Sequence, residues 1–128
     1  MSNEIYSVEI IAQSHELSKR EKVMMKDTSN AIKFDDVITP DQGLTITPTG
    51  WVKLSIHNPK GERKDFENLI ITTYEGEKYV TGSPTFIEKF LGIWDDMYDP
   101  NDEDYQIEVF KRDSKNYKGK QFLSCAVV

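Results

Sequence analysis

Residues 111–120, "KRDSKNYKGK", set Lys111, Arg112, Lys115, Lys118 and Lys120 against a single acid, Asp113, with Tyr117 among them. Closely spaced cations neutralise phosphates, and a ring between them offers a face on which a base can stack. A second, weaker cluster lies in "NPKGERKD" (58–65), where Lys60, Arg63 and Lys64 are diluted by Glu62 and Asp65. Trp51 and Lys53 share the polar side of an alternating stretch, and Phe66 and Tyr74 are further candidates for stacking. Taken singly, each has an ordinary explanation: surface lysines keep hairpin loops soluble, and rings half-bury in sheets. Their concentration in two loops is what makes the joint pattern informative.

The rest of the chain sharpens the point. The 128 residues carry a net charge of −6. A basic coat is therefore excluded as the reason for the cluster, while a local patch still sets a local field. The acidic run "DDMYDPNDED" supplies Asp95, Asp96, Asp99, Asp102, Glu103 and Asp104 with no base. It lacks the glycine turn and the bidentate glutamate of an EF-hand loop and reads as a solvated loop. It follows a helix C-terminus, where anions are disfavoured, so helix stability does not account for it. A protein contact, or repulsion of misplaced nucleic acid, would.

Other chemistries fit less well. Pro40-Asp41 with Glu62-Arg63-Lys64 imitates a metal-dependent nuclease pattern, but the glutamate and lysine fall in a turn rather than on a strand. Cys125 with His57 imitates a nucleophile and base. The cysteine, however, sits in an apolar terminal strand and reads as a buried small hydrophobe. With Cys125 alone and only His15 and His57 as histidines, neither a disulfide nor a zinc site is expected. No phosphate-binding glycine loop is present, and no cofactor is expected. No apolar run approaches a membrane span, and the first residues lack a signal-peptide pattern, so a cytoplasmic protein is expected.

The elements that must position these residues are mostly strands. "IYSVEIIA" (5–12) reads as a strand, and residues 13–30 as a short helix or an insertion. "AIKFDDVI" (31–38) reads as another strand, and "TPDQG" (39–43) as a turn. Val52, Leu54 and Ile56 alternate with Trp51, Lys53, Ser55 and His57, the period of a strand with one apolar face. Turns at 58–65 and 75–78 separate it from "FENLIITTY" (66–74) and "YVT" (79–81). The period then changes: Phe86, Phe90, Ile93, Trp94 and Met97 share one helical face over 83–97. Ser83 or Thr85 caps that helix, Pro84 suits its first position, and Gly92 suggests close packing. Strands at 105–112 and 121–128 follow, joined by the basic segment.

This order of strands, one helix and a hairpin resembles the oligonucleotide-binding (OB) fold, a single five-stranded barrel with its helix between strands 3 and 4. "YEGEKYVTGSPTFIEKFLGIWDDM" and "YQIEVFKRDSKNYKGKQFLSCAVV" resemble the tail-less single-stranded DNA-binding proteins of phages that infect Gram-positive bacteria. The resemblance covers roughly the last 55 residues, with residues 1–30 outside it. It implies a non-enzymatic protein that coats single-stranded DNA during phage or mobile-element replication, without marked sequence preference. Replication proteins and further copies of itself would be its protein partners, and no membrane would be involved. The alternative is an acidic interaction module or DNA mimic that inhibits a host enzyme.

Overall fold

The computed structural model describes residues 7–60, 65–97, 105–113 and 121–128. The chain is mainly β. Strand β1 (Ser7–Gln13) leads into helix α1 (Lys19–Lys26). Strand β2 (Ile32–Lys33) runs directly into a single turn of helix, α2 (Phe34–Val37). Strands β3 (Leu44–Ile46), β4 (Pro48–His57), β5 (Asp65–Thr73) and β6 (Lys78–Thr81) come next. Helix α3 (Pro84–Met97) then precedes the hairpin β7 (Ile107–Asp113) and β8 (Gln121–Val127).

The strands form a five-stranded sheet, β1-β4-β5-β6-β2, and a three-stranded sheet, β3-β7-β8. The sheets are not closed into the single five-stranded barrel expected from the sequence. One residue, Thr47, separates β3 from β4, so a nearly continuous stretch of chain serves both sheets. At the other side of the larger sheet, β2 pairs in parallel with β6, with Ile32 opposite Tyr79 and Lys33 opposite Val80.

The alternation in β4 is the organising feature. Val52, Leu54 and Ile56 project to one face, where Ile70 and Val80 join them in a dry cluster. Leu17 is buried in it, and Val8, Ile10, Met25 and Ala31 pack against its edge. The opposite face is covered too. Leu69, Ile71 and Tyr79 meet Phe86, Phe90 and Trp94 of α3, and Ile107, Val109 and Cys125 of the hairpin complete this larger core. The apolar stripe expected for α3 is therefore the one it buries, although Met97 is exposed. Ser83 is the cap, its Oγ accepting from the Phe86 amide at 3.3 Å, with Pro84 at the first helical position.

Two expectations change and one open choice is decided. Residues 31–38 are a strand for two residues only. Phe34 and Ile38, four apart, are both 1% exposed in the larger core, and the helical turn that brings them together ends the strand. Residues 13–30 contain a true helix. Ser18 Oγ accepts from the Glu21 amide at 3.2 Å and the Glu21 carboxylate accepts from the Ser18 amide at 3.1 Å, a reciprocal capping box. Lys78 Nζ closes the other end by donating to the carbonyls of Met24 at 2.9 Å and Asp27 at 2.8 Å. Gly92 is not a point of close packing: a Cβ there would meet nothing within 4 Å. Gly76 is the glycine whose conformation matters, turning the chain at φ 88° between β5 and β6.

Two measurements check this packing. Leu17→Ala should lower unfolding free energy by about 2–5 kcal/mol in denaturant titration, the range for truncating a buried leucine. Gly92→Ala should raise it by up to about 1 kcal/mol, because helix propensity improves and the methyl enters open space.

Candidate nucleic-acid interface

The strand-turn-strand geometry decides which predicted residues can meet a ligand. On that side of β4, Trp51 packs against the larger core, whereas Lys53 borders an open groove beside α3. Trp51 is half-buried and packs against that core, and its Nε1 is buried without an acceptor among the described residues. Lys53 Nζ is 3.3 Å from the Glu67 carboxylate, in the neighbouring β5. Phe66 is half-buried against the other, smaller cluster. Tyr74 is 75% exposed at the turn after β5, alone among the nominated rings that are described in being free of the cores. Arg63, Lys64, Lys115, Tyr117, Lys118 and Lys120 lie outside the described residues, as do Asp99, Asp102, Glu103 and Asp104.

On β7, successive residues face opposite ways. Lys111 therefore lies on the core side of the hairpin, where its Nζ reaches the Asp35 carboxylate of α2 at 3.6 Å. Arg112 is exposed on the other side, its guanidinium 5.3 Å from the centre of the Phe110 ring. Register places Phe122 directly opposite Arg112 and Ser124 opposite Phe110. Arg112, Phe122 and Ser124 border a groove of about 590 Å3 whose far wall is α3, with Lys89, Ile93 and Asp96. Two rings and two cations thus gather beside the ends of the basic segment. Phe110, Phe122 and Lys89 were not singled out from the sequence. The signal was available for two of them: Phe110 and Arg112 share parity on β7, and pairing brings Phe122 to the same face.

The other side of α3 differs. There a groove of about 700 Å3 has Ile87, Leu91 and Phe66 in its lining, with Asp65, Glu67, Glu88 and Asp95 around them and Lys53 as the one cation among the described residues. Glu88 and Gly92 border both grooves and so form the ridge between them. A phosphate chain is repelled from this second groove by Coulomb interaction with carboxylates that outnumber the lysine.

A basic element also escaped the sequence reading. Helix α1 carries Lys19, Arg20, Lys22 and Lys26, all exposed, and buries no residue fully. Its acids are engaged locally. The Glu21 carboxyl is held below the usual range by hydrogen bonds from the Ser18 backbone and then its side chain. Asp27 is lowered by bonds from the Ser29 hydroxyl and amide.

Reactive side chains are placed for structure. Cys125 is 1% exposed, and burial pushes its thiol up to about 11. His57 belongs to a different sheet and pairs instead with Asp65, Nδ1 to Oδ1 at 2.7 Å. Tyr79 is pushed up to about 12 by burial and by its hydrogen bond to Glu77. Tyr105 reaches about 12 by burial and the neighbouring Cys125. Among the described residues no helix is long and apolar enough to cross a membrane. Comparisons of the chain with family models, curated proteins and solved structures gave no match.

These three acids have a common consequence at high pH. Each keeps its proton longer in the folded chain than in the unfolded one, so unfolding releases protons above the ordinary values. Their contribution is intact below pH about 9 and is lost as pH rises through about 11 for the thiol and about 12 for the phenols. Thermal midpoints should fall progressively over that window, and Cys125→Val should remove the part between pH about 9 and 11. A midpoint independent of pH across this range would contradict the assignment.

Proposed function

We propose that this chain is a single-stranded DNA-binding module of the OB type, serving phage or mobile-element replication. The chain path supports the reading: β3 and β4 act as one bent first strand, β5 and β6 continue a meander, and α3 precedes the β7–β8 hairpin. That is the order of strands and helix in an oligonucleotide-binding barrel, which can be partly open.

The observation that carries the function is the face shared by Phe110, Arg112 and Phe122. It combines rings with an exposed guanidinium that makes no ion pair among the described residues, and it leads into the segment bearing Lys115, Tyr117, Lys118 and Lys120. A strand of nucleic acid would lay bases against Phe122 and Tyr117 and phosphates against Arg112, Lys89 and the loop lysines. Stacking accepts any base, so sequence preference would be weak. Trp51 belongs to the core in this arrangement and Lys53 to its pair with Glu67. Arg63 and Lys64 would extend the track only if the strand continued to the β4–β5 turn, and Tyr74 stands at the opposite end of β5. A second reading, an acidic interaction module or DNA mimic, is favoured by the carboxylates Asp95 and Asp96 exposed at the end of α3, where the acidic run begins.

Anisotropy of a labelled oligo(dT) measures the difference. Native protein should bind with strong salt dependence. Changing Lys115, Lys118 and Lys120 together to Glu should weaken binding and reduce the slope of log affinity against log salt by about 2, three lost contacts at roughly 0.7 each. Phe122→Leu should weaken binding with the salt slope unchanged. Retention unaffected by the triple change would overturn the DNA reading in favour of the acidic module.

A further inference from the structure

Two described patches remain unpaired, and they match. On α1, Lys19, Lys22, Val23 and Lys26 stand at i, i+3, i+4 and i+7, which puts them on one face, with Arg20 beside it. Val23 is 70% and Met24 57% exposed, and the four cations make no ion pair among the described residues. Val23 thus stands at one edge of a cationic face, with Arg20 beyond it and Met24 a further step round the helix. The groove between the start of β5 and α3 is its opposite: Ile87, Leu91 and Phe66 line it, and Glu88 and Asp95 stand on its rim with no ion pair among the described residues. Asp65 and Glu67 add negative charge there, although they already hold His57 and Lys53.

We propose that α1 of one copy docks into this groove on a second copy of the chain. The exposed Val23 and Met24 select this occupant over a phosphate chain, because apolar side chains gain nothing from phosphate but are removed from water against Leu91 and Ile87. Each copy carries both halves. The two halves lie on opposite faces of the five-stranded sheet, α1 over the Val52–Leu54–Ile56 face and α3 over the other. The contact is therefore heterologous and propagates head to tail. A chain of net charge −6 would otherwise repel its copies, so the contact depends on local charge and on low ionic strength. Linear assembly of this kind is independent of whether the protein binds nucleic acid.

Sedimentation velocity on the full chain, without nucleic acid, tests the proposal. The weight-average sedimentation coefficient should rise with protein concentration at low salt and return to the monomer value at high salt. Two neutral variants, each altered only at exposed positions, define the surfaces: Lys19→Gln with Lys22→Gln and Lys26→Gln on the helix, and Glu88→Gln with Asp95→Asn on the groove. Each alone should associate about tenfold more weakly or less, as expected for losing two or three exposed ion pairs. Mixed together, they should form a dimer and nothing larger, because only one native helix and one native groove remain to meet. Circular dichroism confirms that both variants fold. A native chain that stays monomeric at low salt overturns the proposal. So does association as strong in either variant as in the native chain, or a mixture that associates no more strongly than either variant alone. Oligo(dT) binding lost in the helix variant while the native chain remains monomeric would assign α1 to nucleic acid instead.

Discussion

The structure depends on the β4–β5 pair being buried on both faces. A strand with one solvated face needs a single core; these two need two. Val52, Leu54, Ile56 and Ile70 require an apolar cover on one side, and Leu69 and Ile71 require one on the other. Burying several such side chains contributes on the order of 1.5–3 kcal/mol each, a large share of the stability of a domain this size. The N-terminal segment supplies the first cover and α3 with the hairpin supplies the second. Neither can be removed without exposing a dry surface.

That double burial determines where a ligand can go. In an oligonucleotide-binding barrel the face of the second and third strands takes the ligand. Under the proposed OB reading the strands in that place are β5 and β6, which present Ile70 and Val80 to Leu17 and Met25, and Lys78 anchors the end of α1 over them. Displacing that cover would cost the burial of the whole smaller cluster. Contact surfaces are left at the periphery: the outer face of the hairpin, the exposed side of α1 and the two grooves beside α3. Their charges differ in sign, so an acidic chain could offer one basic face to the proposed polyanion and another to the carboxylate-lined groove.

What was legible in the sequence follows from how strongly each element declares its period. Alternation through Val52, Leu54 and Ile56 marked β4, and Phe86, Phe90 and Trp94 marked α3, because burial imposes those spacings. Helix α1 was obscure because it buries no residue fully, and its clearest signal was local: Ser18 followed three residues later by Glu21. At 31–38 the β-branched residues suggested a strand, while the i, i+4 pair of Phe34 and Ile38 carried the information that mattered. The candidate site was half legible. Arg112 and the loop lysines stood out by composition, but the sides of a strand become meaningful only once register is known. Lys111 and Arg112 look equivalent as neighbours in sequence and face opposite ways in the fold. Trp51 shares parity with polar residues and still faces the larger core, because both sides of β4 are covered.

The central claim is that single-stranded DNA meets the hairpin while the covered face stays covered. Amide chemical-shift mapping during titration with oligo(dT) at low salt tests it directly. Shifts concentrated in 110–124 and at Lys89, with Val52–Ile56, Ile70 and Val80 unmoved, are the predicted result. Absence of any shift in the hairpin, or large changes in the smaller cluster and α1 that signal an uncovered sheet face, would contradict the account.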